Sequence, residues 1–561
     1  MQVSLHVALA SVIRSRGNWL RQGWWLPGIL LTALIFSIPI LTVASFLLQP
    51  SGEIWQHLVE TVLADYLFNS VLLMIGVTLG TLSMGIICAW LTSLCQFPGK
   101  KLFSWALLLP LAMPAYIIAY TYTGLFDFAG PVQTQIRDWT GWKYGDYYFP
   151  EVRSLGGAMA MLSLVLYPYV YLMARAAFLE QSVCVIEVSR TLGCSAWSSF
   201  FRVALPLARP AIVAGLSLAL METLADYGTV SYFGLGVFTT GIFRTWFGLG
   251  DSAAAAKLAS ILLLFVFALV VVERWSRHRA QYHHTTNRYR QLPQYRLSGF
   301  RALLAFVGCL LPLLFGFVLP ATQLSYWAID TYSTMIDASF IKLTLNTIML
   351  GLSTAVLAVL LALFLAYGRR VLNSKMVIAS VRLVATGYAL PGTIIAVGVI
   401  IPLAWFDNTL DAYMRSQFDL STGLLLSGTL FALMFAYLVR FLAISIQSVE
   451  SGLTKIRFSM DEAARSLGYK PTETLFKVHL PLMKGSVLTA LLIVFVDVAK
   501  ELPATLILRP FNFNTLAVRA FELASDERLA DSSTAALMIV VVGLLPVILL
   551  SKSISSSRAG S

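Results

Sequence analysis

Two stretches of this sequence place carboxylates where carboxylates are costly. LALMETLADYGTVSYFG carries Glu222 and Asp226, and VFVDVAKELPATLILRP carries Asp497, Lys500 and Glu501. The rest of both stretches is rich in Leu, Val and Ala. Ionisable side chains inside such runs face a bundle interior or a water-filled path, because hydrocarbon does not solvate them. Helical spacing at i, i+4 puts Glu222 and Asp226 on one face, and likewise Asp497 and Glu501. Grouped carboxylates suit a hard cation. The chemistry on offer is an acidic lining or gate for a cation, with an ion-pair cluster around Lys500 as the even-weighted alternative. No metal set accompanies them. The cysteines (Cys88, Cys95, Cys184, Cys194, Cys309) are odd in number and have no ligand spacing. His278, His283 and His284 lie in a basic stretch without acidic or Cys partners, which reads as solvated linker.

The elements that must position these residues are membrane helices. The chain has 561 residues, 58% apolar and only 12% charged. Soluble domains run nearer ~45–50% and ~25%. A soluble enzyme, a disordered chain and a nucleic-acid binder are excluded. Spans are expected near 25–47, 68–94, 102–125, 155–178, 211–233, 255–273, 302–322, 343–367, 377–405, 422–446, 486–508 and 533–552, about 12 in all. The first apolar run is longer than a signal-peptide core and reads as a retained anchor. The net charge of +12 is concentrated in alternate loops, at Lys100 and Lys101, at Arg274 to Arg301, and at Arg369, Arg370 and Lys375. The positive-inside rule then puts both termini in the cytoplasm. The opposite loop, 126–154, carries Trp139, Trp142, Tyr144, Tyr147, Tyr148 and Phe149. Such aromatics sit at a membrane interface; a docking surface for a partner is the sharper reading.

The spans fall into two copies of one unit. EVSRTLGCSAWSSFFRVALPLARP, from Glu187, matches EAARSLGYKPTETLFKVHLPLMKG, from Glu462, at a constant offset of 275 residues. Glu187 pairs with Glu462, Gly193 with Gly468, and Leu205-Pro206 with Leu480-Pro481. MPAYIIAY (113–120) likewise resembles LPGTIIAV (390–397), and Asn69 and Asn346 open spans two and eight. The expected architecture is all-α, two parallel six-helix repeats, 1–274 and 302–561, joined by a basic linker, 275–301. Each repeated loop lies between the fourth and fifth spans of its copy and reads as two short helices around a glycine. In the second copy Ser459 and Glu462 have capping-box spacing, Gly468 suits a left-handed helix end, and Pro471 suits the next first turn. Amphipathic helices lying on the bilayer are the bland reading; the paired recurrence favours a functional one.

This pattern resembles the coupling motif of binding-protein-dependent ABC transporter permeases: Glu-Ala-Ala, a Gly six residues after the Glu, then Leu-Pro. Glu462-Ala463-Ala464, Gly468 and Leu480-Pro481 match it in full. Glu187-Val188-Ser189, Gly193 and Leu205-Pro206 match it without the two alanines. The resemblance covers nearly the whole chain, as two fused permease domains of the type I importer kind. It implies a cytoplasmic ATPase subunit in two copies, a periplasmic binding protein, an inner-membrane location among lipid, no cofactor and no nucleic acid. No G-x-x-x-x-G-K-[ST] phosphate loop occurs in the sequence, so the ATP chemistry belongs to another chain. ADYGTVSYFG (225–234) and AKELPATLILRP (499–510) further resemble the ferric-iron class. Thiamine and phosphonate permeases share the fused layout. A proton-coupled secondary transporter is the rival from another class, and it leaves the duplicated loops unexplained.

Overall fold

The computed structural model describes residues 24–50, 52–143, 145–180, 191, 193, 195–278, 295–372 and 374–556. Among these, nine helices are long and apolar enough to cross a membrane, and two sharply bent helix pairs bring the number to 11. A further, shorter apolar helix covers Leu529–Leu544. In chain order the principal helices are α1 (Trp25–Leu48), α2 (Leu63–Leu94), α3 (Ala115–Phe126), α4 (Leu155–Leu179), α5 (Phe200–Ala225), α6 (Ser252–Ser276), α7 (Gly299–Met335), α8 (Ala338–Leu372), α9 (Gly392–Phe418), α10 (Leu430–Thr454), α11 (Lys484–Ala499) and α12 (Leu529–Ser556).

The protein is an all-α membrane bundle of two repeats. In the first, α2, α4 and α5 pack together; in the second, α8, α10 and α11 do the same. The two are interleaved. Helix α1 lies on α8, α9 and the short helix Lys375–Val384, all of the second repeat. Helix α7 lies on α2, α3 and α4 of the first, and also on α12. Small residues permit the crossings: a Cβ on Gly398 would meet the Pro39 carbonyl oxygen at 2.4 Å, and one on Gly316 the Leu164 oxygen at 2.8 Å. Trp25 stacks on Phe364 with ring centroids 5.1 Å apart. A two-residue parallel pairing joins Cys95–Gln96 to Tyr295–Arg296, bringing the chain back to the first repeat just before α7.

Four of the expected spans do not run as single straight helices, and proline or capping chemistry is the reason. Helix α3 begins after Pro114 and α9 after Pro391, each preceded by an extended residue, Met113 or Leu390. A residue before proline is pushed out of the helical region, so the two matching motifs mark matching breaks. The first break bends its helix pair by 92°. The third and fourth cases, the ends of α5 and α11, belong to the site. Proline also shapes the Leu-Pro pairs. Leu205, Leu319 and Leu480 each donate their N–H five residues back, to Phe200, Leu314 and Leu475. The next residue in each case is Pro206, Pro320 or Pro481, whose ring would clash with the carbonyl four residues earlier. A single widened π turn relieves that clash.

Gly398→Val should wedge α1 off α9. We expect a loss of roughly 1–3 kcal/mol, read as a lowered unfolding temperature in detergent, with Gly485→Val, where nothing lies within 4 Å of an added Cβ, as the tolerated control.

Candidate functional site: two paired loops and a central charged cavity

Both loop glycines adopt the left-handed backbone expected of them, Gly193 at φ +86° and Gly468 at φ +85°. An added Cβ would point into open space at either position, so the constraint there is conformational rather than steric. In the second loop a helix over Phe458–Ser466 precedes Gly468. A second helix, Pro471–Leu482, follows and meets α11 at 82°. Pro471 opens that helix, while Glu473 reaches back to the Lys470 N–H at 2.9 Å. The expected capping box at Ser459 is not formed. The helix starts two residues earlier than that box requires, at Phe458, with no side-chain cap, because Arg370 of α8 fixes the entering chain. Its guanidinium donates to the carbonyls of Leu453 and Ile456 and to Asp461 (2.6 Å), and it lies over the Phe458 ring.

The first loop differs. Glu187, with Val188 and Ser189, lies outside the described residues. From Ala196 onward the chain is helical without a bend and runs directly into α5. The matching apolar positions nevertheless behave alike: Phe200 and Leu475 are buried, whereas Phe201 and Phe476 are 58% and 59% exposed. Leu205 and Leu480 are half-buried, with Pro206 and Pro481 exposed beside them. On the second loop Glu462 and Ala463 face outward, Ala464 is buried, and Leu467 is 77% exposed. Both loops thus offer a repeated apolar face.

The intramembrane charges meet in one cavity of about 130 Å³ between the two repeats. Glu222, Asp226, Asp497, Lys500 and Glu501 all line it, with Tyr169, Tyr388 and Arg440. The helical i, i+4 reading of the acidic pairs is corrected here. Helix α5 ends at Ala225 and α11 at Ala499, so Asp226 and Glu501 lie beyond the helices. Each begins a short new one, Gly228–Tyr232 or Pro503–Leu508. Asp226 accepts from the Val230 N–H and the Thr229 hydroxyl. Glu501 accepts from the N–H groups of Ala504 and Thr505 and from the Thr505 hydroxyl. A carboxylate at a helix start satisfies otherwise orphaned donors and matches the helix dipole. The periodicity of the apolar run does not reveal this break. Gly228 and Pro503, just beyond it in each copy, are its only signals.

The remaining charges are paired within the cavity. Lys500 contacts Asp497 at 2.8 Å. Arg440 of α10 contacts Glu501 at 3.1 Å and reaches Glu222 of the other repeat at 3.8 Å. Tyr388 donates to Glu222 at 3.5 Å. Four carboxylates face two cations, so the cavity is acidic on balance. Among the described residues no group of three or more His, Cys, Asp or Glu converges to hold a resident metal. Arg440 was missed in the sequence. Its signal is a lone arginine in LFALMFAYLVRFLAISIQ, and its position in the first copy is Val165, so the repeat did not flag it.

The asparagines that open spans two and eight have a shared task. The Asn69 side chain donates to the Gly236 carbonyl at 2.9 Å, and that of Asn346 to the Asn514 carbonyl at 3.2 Å. Next to them, Ser70 and Thr347 accept from the N–H groups of Phe238 and Leu516. Each pair pins the segment that follows its short capped helix. At that same end of the bundle, the aromatic loop contains the helix Pro131–Thr140 and leaves Trp139 80% and Tyr148 91% exposed. Tyr144 and the linker histidines His283 and His284 lie outside the described residues. Arg153 ties this loop to Glu527 of the second repeat at 3.2 Å.

Arg440→Met should strand Glu501, only 4% exposed, at a cost of roughly 3–5 kcal/mol. The double change Arg440→Met/Glu501→Gln should recover part of the lost thermal stability in detergent.

Comparisons with known proteins agree with this architecture. The model of the family described as the binding-protein-dependent transport system inner membrane component matches twice, over 81–280 and 358–557. The Fe(3+)-transport system permease protein FbpB 2 of Haemophilus influenzae is 27% identical over 87% of this chain and 90% of its own length. The ferric transport system permease protein FbpB of Actinobacillus pleuropneumoniae is 23% identical over 79% and 63% respectively. The molybdenum transport system permease protein ModB of Escherichia coli is 29% identical over 39% of this chain but 99% of itself, so it has the length of one repeat. With two matched regions at equivalent places in two structural repeats, the chain belongs to the family of binding-protein-dependent inner-membrane permeases, as a fused pair of permease units.

Proposed function

We propose that this chain is the transmembrane part of an ABC importer that moves ferric iron from a periplasmic binding protein into the cytoplasm. ATP hydrolysis takes place on a separate subunit, present in two copies, one for each repeated loop. The observation that carries the cation reading is the acidic cavity between the repeats, with Glu222, Asp226, Asp497 and Glu501 against Arg440 and Lys500. Hard cations prefer oxygen donors. The long relatives named for ferric iron support the same substrate. Glu222 and Asp497 are the carboxylates for transient contact: their ion pairs with Arg440 and Lys500 would have to be exchanged, whereas Asp226 and Glu501 are engaged in capping. The relative named for molybdenum motivates a second reading, an oxyanion, in which Arg440 and Lys500 would be the contacts; both cations are already paired with carboxylates, which disfavours it.

The loops carrying Glu187, Gly193, Leu205, Pro206, Glu462, Ala463, Ala464, Gly468, Leu480 and Pro481 are the docking elements for the ATPase, on the cytoplasmic face. Exposed Phe201, Phe476 and Leu467 supply the apolar contact. The aromatic surface of 126–154 then faces the periplasm, where the binding protein arrives.

In vesicles reconstituted with the binding protein and ATPase, ferric iron should accumulate on ATP addition, while thiamine and molybdate should not. Molybdate uptake in place of iron would establish the second reading. Glu222→Gln with Asp497→Asn should cut iron uptake at least tenfold and leave ATPase association intact; unchanged uptake would make the charges purely structural. Gly193→Asp/Gly468→Asp forces an L side chain into the left-handed region at about 1–2 kcal/mol per residue and puts charge on the docking face. Normal membrane insertion with loss of ATPase association or of uptake is expected, and full transport by this variant would refute the docking role.

A further inference from the structure

Helix α8 is fastened at both ends by polar side chains. At the loop end, Arg370 holds the Leu453 carbonyl near the end of α10, the Ile456 carbonyl just beyond it, and Asp461 of the first loop helix. Asp461 in turn meets Nε2 of fully buried His479, in the second loop helix, at 3.2 Å. The His479 ring packs edge-on against Tyr367, one turn before Arg370 on α8, with centroids 5.2 Å apart. The contacts form a closed circuit: α8, the end of α10, both loop helices, and α8 again. The Arg370–Asp461 pair is largely shielded, at 8% and 13% side-chain exposure. At the other end of α8, Asn346 and Thr347 hold the backbone at Asn514 and Leu516. That segment follows the short helix capped by cavity residue Glu501. About 36 Å separates the two fastenings at 1.5 Å rise per residue.

Among the described residues, the first repeat shows no counterpart of the loop-end circuit. On the pairing of α2 with α8 that matches Asn69 to Asn346, Tyr367 and Arg370 correspond to Trp90 and Ser93; at the 275-residue offset of the loops, Asp461 and His479 correspond to Ile186 and Ala204; none of the four is charged. The end of α2 meets its loop helix through aromatic packing instead, Trp90 on Phe200 at 4.3 Å between ring centroids. Aromatic faces can slide, whereas a guanidinium fork fixes direction and distance. The Asn69 and Ser70 contacts at the far end are nonetheless the same as in the second repeat.

We propose that α8 is the rod through which the second loop and the far face of the bundle move together, with Arg370 as its positioning residue, and that the first repeat contributes less to this linkage. The proposal rests on the reading of the loops as ATPase-docking elements. It requires that breaking either fastening uncouple ATP hydrolysis from the binding protein without detaching the ATPase.

The test uses the complete reconstituted transporter. Copurified ATPase, hydrolysis with and without loaded binding protein, and ATP consumed per iron imported are measured for Arg370→Met, Arg370→Lys, Asn346→Ala/Thr347→Val and their combination. Expected are retained ATPase, at least a fivefold fall in stimulation by the binding protein for Arg370→Met and for the far-end pair, partial rescue by Arg370→Lys, and no further fall in the combination. Asn69→Ala in the first repeat should lower stimulation less than twofold. Full stimulation in either variant, additive losses, or an equal loss from Asn69→Ala would overturn the rod. Detachment of the ATPase by Arg370→Met alone would also overturn it, making Arg370 a docking residue. Should Arg370→Met fail to fold, the far-end pair and Arg370→Lys decide by the same criteria. A wild-type complex without any stimulated hydrolysis would instead refute the docking reading itself.

Discussion

Hydrocarbon offers a peptide group no hydrogen bond, so a chain that leaves the helix within a membrane must supply its own partners. This protein leaves the helix at the same place twice, after Ala225 and after Ala499. Asp226 and Glu501 meet the need by accepting the free N–H groups of the helices that follow. Everything in the central cavity depends on that solution. A buried capping carboxylate that stays ionised needs a counter-ion. For Glu501 that counter-ion is Arg440, admitted because position 392 is glycine: a Cβ there would stand 2.6 Å from a Glu501 oxygen and 2.7 Å from an Arg440 nitrogen. The LPG in LPGTIIAV is therefore tied to the charge pair as well as to the helix break.

The repeats are equal where they cap and unequal where they pair. Asp226 and Glu501 cap in the same way, and Asn69 and Asn346 pin the same following segment. Arg440, Lys500, Arg370 and His479 have no charged counterparts in the first copy, where Val165, Ala225, Ser93 and Ala204 stand. A cavity built by two identical halves would hold like charges face to face. Putting both cations on one half lets Arg440 bridge from its own Glu501 to Glu222 of the other, so the unlike residues hold the two halves together.

Much of this was legible in the sequence. The spans could be read because apolar runs of membrane length have few soluble uses, and the loops because two copies of Glu, Gly and Leu-Pro recur at one offset. The glycine conformations and the helix opening at Pro471 followed from local chemistry. Residues acting alone and far along the chain were not legible. Arg440 has no partner in the repeat, and its carboxylates lie on other helices. The Ser459 capping box failed because a residue some ninety positions upstream, Arg370, set the helix start. The two acidic pairs looked helical because periodicity counts apolar positions and does not see a cap that interrupts them.

The interleaving of the first helices has a consequence in time. Helix α1 is synthesised before the other helices described, yet the face that receives Pro39 includes Gly398 of α9. Roughly 360 residues must follow before that face exists, which at ~5–20 residues per second is on the order of 20–70 s. Throughout that interval the Trp25, Ile29 and Phe36 side of α1, buried in the finished protein, has only lipid or an assembly factor to cover it. A helix made before the others described is thus among the last to find its seat, and completion of the fold waits on the second repeat even for this span ahead of the first.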